Sequence, residues 1–423
     1  MTHAATSPIP VLKPGITITP YEQAAGETAP RFLLALGASY FLVSLNTRAL
    51  VMALLHNPPT LVQLEEEFKA ASGTHLPAAH LLKLAQQHLP SVLLRDTPMP
   101  PRELPFILSL TLLGPQLAAR VTAHLTWLFK PYLAAILIAT FILLHIVSLP
   151  AAMHLAHADW TAKESIALAV LFLLSGLIHE LGHTTACRYF ACPHGGIGVG
   201  LYYIFPAWYA DVTNAWQLPR RQRAVVDLGG VYFQSIMLIA IDAYALASGN
   251  PLALKLVWLI TFAMLFTLNP VFKFDGYWLL SDLSGLHNLH KKVRDATAAL
   301  VATAMGRRSV SAPGVRSSIL TAYSVLSLCY FVYFGLFLAR ELVALSTTMV
   351  PAVSARWQLL AAIDLTQGWE VTLAAGRLVA ALAWPLMIAL ATVFFLNRLR
   401  RAVVGIIASI RDARMLPPLS KLV

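Results

Sequence analysis

Long apolar runs constrain this chain most, because about 20 uncharged, apolar residues are what a helix needs to cross the roughly 30 Å hydrocarbon core of a bilayer. Six such runs are read at about 131–152, 166–187, 224–247, 253–275, 318–338 and 374–396. In lipid a backbone must satisfy its own hydrogen bonds, so isolated runs of this kind fold as helices. Composition agrees, with 57% apolar and only 12% charged residues in 423. The net charge of +11 is not read as a nucleic-acid footprint, because the Lys and Arg residues flank the apolar runs. With both termini placed in the cytoplasm, 25 of the 31 Lys and Arg fall on that side and five in external segments, as the positive-inside rule demands. The expected fold is an α-helical, polytopic integral membrane protein of about six transmembrane helices, with the lipid bilayer as a partner and no nucleic acid.

Ahead of the membrane part, residues 1–27 are polar and Pro-rich and are expected to be disordered; their start does not read as a cleavable signal peptide. Residues 28–100 read as a small α+β unit. Arg31–Leu36 and Ser39–Ser44 are two strands around Gly37, followed by helices near 46–56, 60–71 and 78–89. Thr60 with Gln63 three residues on spells a helix start, Leu61, Leu64 and Phe68 share one face, and Glu65, Glu66 and Glu67 form a solvated one. This strand-strand-helix-helix-helix order resembles the winged-helix peptide-recognition domains of ribosomal-peptide biosynthesis. The resemblance implies a domain that takes up a leader peptide as an added strand; packing against the membrane part, or dimerisation, is the alternative. Residues 101–130, interrupted by Pro115, Arg120 and His124, are read as an interfacial segment, 131–400 as the membrane domain and 401–423 as a cytoplasmic tail. The three cysteines, Cys187, Cys192 and Cys329, carry no disulfide framework.

The second apolar run ends in His179-Glu180-Leu-Gly-His183. Side chains four apart lie on one helix face a turn apart, so the two imidazoles can share one zinc ion. Glu180, offset by one residue, can take a proton from water that zinc has made acidic, and pass it to a leaving amine. Glu180 is also the one formally charged side chain between Ser165 and Cys187. A carboxylate at mid-membrane costs about 2.5–3.5 kcal/mol on insertion scales and marks function more often than structure. A third protein ligand is needed, and Asp275 is the candidate: it is expected at the inner end of the fourth span, at the depth of His183, with Gly276 letting the chain turn. The alternative is an Asp275–Lys273 pair.

His-Glu-Leu-Gly-His on one span and Asn269-Pro270…Phe274-Asp275-Gly276 on a later one resemble the site-2 protease family of intramembrane zinc metallopeptidases. The wording Lys273-Phe-Asp-Gly-Tyr-Trp278, with Phe205-Pro-Ala-Trp-Tyr-Ala-Asp211 upstream, is most similar to its peptide zinc metalloprotease branch. The resemblance implies Zn2+ on His179, His183 and Asp275, Glu180 as catalytic base, and Asn269 on the substrate backbone. It further implies hydrolysis of a peptide bond in a peptide or membrane-protein substrate, including leader-peptide processing, in a bacterial inner membrane. The chain departs from the family's second motif in having Phe274 before Asp275 and Pro270 directly after Asn269. A non-catalytic export or immunity component with a structural zinc is the rival reading.

Other polar residues are open. Gly195 to Tyr209 is read as a re-entrant strand or hairpin beside the site, or as a filling loop. Cys187 is a buried thiol or a further ligand; Cys192 and His194 are structural or a second metal site. Asp211 and Asn214 are candidates to orient a ligand histidine, and Asp227 to sit at a helix end. Arg220-Arg-Gln-Arg223 is a membrane anchor or a peptide-binding patch, and His287 and His290 are surface residues.

Overall fold

The computed structural model describes residues 9–22, 29–37, 39–98, 108–155, 161–202, 205–286, 288–290, 292, 315–362 and 368–411. Two units are distinguished, Met1–Gly285 and Leu286–Val423.

In the first unit an antiparallel sheet opens the fold. Its strands are β1 (Thr17–Tyr21), β2 (Arg31–Leu36) and β3 (Ser39–Ser44), in the order β1-β2-β3. β2 and β3 are joined tightly at Gly37, whose φ of +57° is one that glycine adopts without strain. β1 departs from the expectation of a disordered start. It lies in a stretch whose prolines argue against regular structure, but pairing with β2 satisfies its backbone and Ile18 packs on the core beneath. Three helices follow, α1 (Leu45–Leu55), α2 (Leu61–Ser72) and α3 (Ala78–His88). The Thr60 side chain caps α2 by accepting from the Gln63 N–H, and Gly73 closes it at φ +73°. Leu34, Leu50, Leu54, Leu64, Phe68 and Leu81 are completely buried together. Each such side chain stabilises by about 1.5–3 kcal/mol.

A second antiparallel sheet, in the order β4-β5-β6, lies further on. The hairpin β5 (Ile197–Tyr202) and β6 (Phe205–Ala210) was anticipated; β4 (Ser109–Leu113) comes from the stretch read as interfacial. β4 keeps some of that character, with Leu108, Leu110 and Leu112 exposed. A short helix, α4 (Pro115–Ala123), follows it.

The long helices of this unit are α5 (Pro131–Leu155), α6 (Ala162–Tyr189), α7 (Arg220–Ser248) and α8 (Pro251–Thr267), with α9 (Asp275–Ser284) behind them. The second unit has α10 (Val315–Ala344), α11 (Val350–Ala362) and α12 (Gly368–Arg411). Among the described residues four helices are long and apolar enough to cross a membrane: Pro131–Leu155, Lys163–Tyr189, Arg220–Ser248 and Ser318–Ala344. The count of six also relied on a span at 253–275, where the chain forms the 17-residue α8, and on one at 374–396, inside α12. At 1.5 Å per residue α8 reaches only about 26 Å. Its end is set by Asn269-Pro270, since proline lacks the N–H that would continue the helix. Asp275 therefore begins α9 rather than ending a span. Gly276 is indispensable here, because a Cβ would run into the backbone of Leu268.

α6 and α7 cross at glycines: a Cβ on Gly182 would collide with the Gly229 backbone, and one on Gly229 with that of Gly182. Small residues let the two backbones touch, the usual device of helices packing in lipid. α5, α7 and α8 share a buried polar cluster in which Asp242 accepts from Ser148 (2.6 Å) and meets His145 (3.1 Å), whose other nitrogen meets Thr261 (3.3 Å).

Candidate metal centre

α6 carries His179, Glu180 and His183 in its last third, exposed by only 8%, 9% and 6%. The imidazoles are a helical turn apart, with Nε2 atoms 3.0 Å from each other. The first residue of α9 completes the group: Asp275 Oδ2 is 2.9 Å from His179 Nε2 and 3.3 Å from His183 Nε2. Among the described residues this is the one His/Cys/Asp/Glu group able to hold a metal ion.

α7 determines what those atoms offer. His183 Nδ1 lies 2.7 Å from the Val226 carbonyl, which can only accept, so the proton sits on Nδ1. His179 Nδ1 lies 3.0 Å from Gln234 Oε1, and Gln234 is oriented by donating its amide N–H to Ser175 Oγ at 2.9 Å. In the neutral imidazoles, the form in which histidine binds a metal, both Nε2 atoms then carry lone pairs and neither donates to Asp275 Oδ2. With the rings neutral, three acceptors converge with no proton between them. Such an arrangement repels itself unless a cation sits at its centre. Ligands about 2.0–2.1 Å from a tetrahedral ion stand about 3.3–3.4 Å apart, close to the separations here. The outer hydrogen bonds are those that fix tautomer and ring orientation at metal-binding histidines.

Close approach makes this possible. A Cβ on Gly230 would lie 2.5–2.6 Å from atoms of the His179 ring. One turn before Glu180 on α6, Gly176 admits the Trp208 indole of β6, and the backbone of Ala210 at the end of β6 hydrogen-bonds Glu180. The second sheet is therefore anchored beside the carboxylate, with Tyr209 Oη 3.0 Å from Thr111 Oγ1 tying β6 to β4.

Of the residues singled out in the sequence, His179, His183 and Asp275 are brought together, with Glu180 next to them. Lys273 is exposed and makes no ion pair with Asp275 among the described residues. Asn269 turns its carbonyl oxygen onto the Val271 N–H (3.0 Å), an Asx turn in the α8–α9 connection. Cys187 is buried, hydrogen-bonds Cys192 and is not one of the metal-binding group. His194 meets Thr122 Oγ1 at 3.1 Å and joins no metal-binding group. Asp211 and Asn214 do not orient the histidines: Asp211 accepts from Thr213, and Asn214 donates to Pro193 O. Asp227 lies within α7 rather than at its end, its Oδ2 buried without a hydrogen-bond partner. Arg223 is no lipid anchor, being buried against Asp282. His290 is half-buried, and His287 lies outside the described residues. Missed in the sequence were Gln234, Ser175 and the Val226 carbonyl. Gln234 was visible as a lone amide in the apolar run Val231–Ile241, behind Gly229-Gly230.

No protein-family model matches the chain. It is 24% identical over 163 residues to a Bacillus subtilis (strain 168) protein named "Putative peptide zinc metalloprotease protein YydH". The match covers 38% of this chain and 63% of that relative, so less than two thirds of the relative's length is represented. No solved structure matches.

Proposed function

We propose that this chain is a membrane-embedded zinc metallopeptidase of the site-2 type. The observation that carries the reading is the convergence of two imidazole Nε2 atoms and one carboxylate oxygen, all lone pairs, beside a buried glutamate. His179, His183 and Asp275 are the residues that would hold Zn2+. When bound there, zinc supplies Lewis acidity, polarising a carbonyl and making water acidic enough to attack near neutral pH. Glu180 takes the proton of the attacking water and returns it to the leaving amine. Val226 and Gln234 keep the imidazoles aimed while charge develops. The substrate is a peptide or membrane-protein segment presented in extended form, since peptide bonds in a helix are shielded; β4-β5-β6 offers edges with which such a segment pairs. Asn269 would hold its backbone only after leaving its own turn. The N-terminal sheet domain receives the leader part of such a peptide, and the enzyme sits multi-pass in a bacterial inner membrane with both termini cytoplasmic. The printed name of the Bacillus relative supports the zinc peptidase part of this reading.

Glu180→Gln tests it. The variant is expected to keep zinc while cleavage of a co-expressed small peptide, followed by mass spectrometry, falls by about 10²–10⁴-fold, the usual weight of a general base. Undiminished cleavage, or a wild type that cleaves nothing while binding peptide, would favour a carrier instead.

A further inference from the structure

α9 brings Asp275 to the centre, yet it is only ten residues long, and a helix that short depends on tertiary contacts for its stability. Its far half is held by two arginines from the first turn of α7. Arg223, 4% exposed, forks onto Asp282: Nε lies 2.9 Å from both carboxylate oxygens and Nη2 2.7 Å from Oδ1. Arg220 donates to the carbonyls of Asp282 and Leu283, both at 2.8 Å, near the end of α9. Asp282 follows Asp275 by seven residues, two helical turns, so both leave α9 on the same side.

The same arginines reach the N-terminal sheet. Arg223 Nη2 donates to the Tyr21 phenol oxygen at 2.7 Å, and its guanidinium lies 5.1 Å from the centre of that ring and 5.5 Å from that of Trp216. Burial pushes the Tyr21 phenol up to about 12, so it meets the guanidinium as a neutral acceptor. The Arg220 N–H donates to Glu22 at 2.9 Å. Tyr21 is the last residue of β1, and Arg223 lies three residues before Val226, whose carbonyl orients His183. A fork onto Asp282 alone would hold α9; the additional bond to Tyr21 draws in a third element.

We propose that Arg223 is a positioning residue through which the N-terminal domain controls the metal centre: Tyr21 seats Arg223, Arg223 seats α9, and α9 keeps the Asp275 carboxylate within reach of the two imidazoles. The inference rests on the zinc reading above and adds its regulation. Proper seating of the N-terminal domain becomes a condition for holding metal.

The test uses the full chain in detergent. Zinc affinity is measured by chelator competition, and the visible spectrum of the cobalt-loaded form reports ligand geometry. Tyr21→Phe removes one oxygen, and Arg223→Lys keeps the charge but loses the fork. Both are expected to weaken zinc about ten-fold, the lower end for outer contacts of metal sites, and to shift the cobalt spectrum, with the Tyr21→Phe chain still folded. Gln217→Ala removes a different tie to the N-terminal domain, the 2.6 Å bond from Gln217 to Tyr40, and is expected to leave zinc affinity as it was. Should Arg223→Lys fail to fold, Tyr21→Phe decides. Wild-type zinc affinity and spectrum in Tyr21→Phe overturn the inference while leaving the peptidase reading standing. Equal losses in Gln217→Ala overturn the specific route through Arg223. A wild type that binds no zinc overturns both.

Discussion

Gln234 gives His179 the acceptor that Val226 gives His183, but from a side chain, so its contribution can be measured. Gln234→Leu leaves Ser175 and His179 Nδ1 without that partner and frees the imidazole to change tautomer. Zinc affinity is expected to fall about 10–100-fold by chelator competition, while Gln234→Glu, which keeps the acceptor, retains most of it. Gly230→Ala tests the other requirement, closeness. Its methyl group would fall on the His179 ring, so α7 must retreat, at a cost of about 1–3 kcal/mol in thermal unfolding and with zinc lost at the same time. Neither residue ionises, which is why a search for titratable groups passes over both. The HExxH spacing, by contrast, was plain in the sequence, because residues four apart on a helix share a face whatever surrounds them.

Among the elements, α2 shows how far local signals go. Its start and its apolar face stand where Thr60, Leu64 and Phe68 imply, and Gly73 closes it. Thr60→Ala is expected to cost about 1 kcal/mol through the lost cap, and Phe68→Ala about 3–5 kcal/mol through the cavity left in a fully buried site. A lowered thermal midpoint in the order wild type, Thr60→Ala, Phe68→Ala would bear this out. β1 and β4 were not legible in the same way. β4 is short and pairs with β5, more than 80 residues further along; β1 pairs with its neighbour β2, but Pro20 within its five residues counts against a strand. The break between α8 and α9 sits between these cases. Pro270 marks a disturbance, but continuing the span through it or ending the helix before it are both compatible with the local pattern.

For the whole molecule the charge asymmetry makes a topological statement that the fold alone does not. Reporters joined after Arg95 and after Arg401 are expected to read cytoplasmic, and one inserted between 156 and 160 external. An external signal from either of the first two would overturn the proposed orientation. In the first unit the site draws on α6, α7, α9 and the second sheet, with the N-terminal sheet attached through Tyr21 and Glu22. Assembled this way, the group keeps Glu180 buried while staying connected to the N-terminal sheet.

By itself the sequence determined what depends on neighbours along the chain: apolar length, helix caps, and two imidazoles with a glutamate on one helical turn. Only the tertiary structure decided that Asp275 reaches those imidazoles from the head of a separate short helix, that Gln234 and Val226 turn the rings' lone pairs inward, and that Arg223 is buried between β1 and α9. The physical reason is range. Helix periodicity repeats every few residues and is written locally, whereas the meeting of α6, α7 and α9 depends on glycine contacts and a guanidinium fork between segments far apart in the chain, which no local pattern encodes.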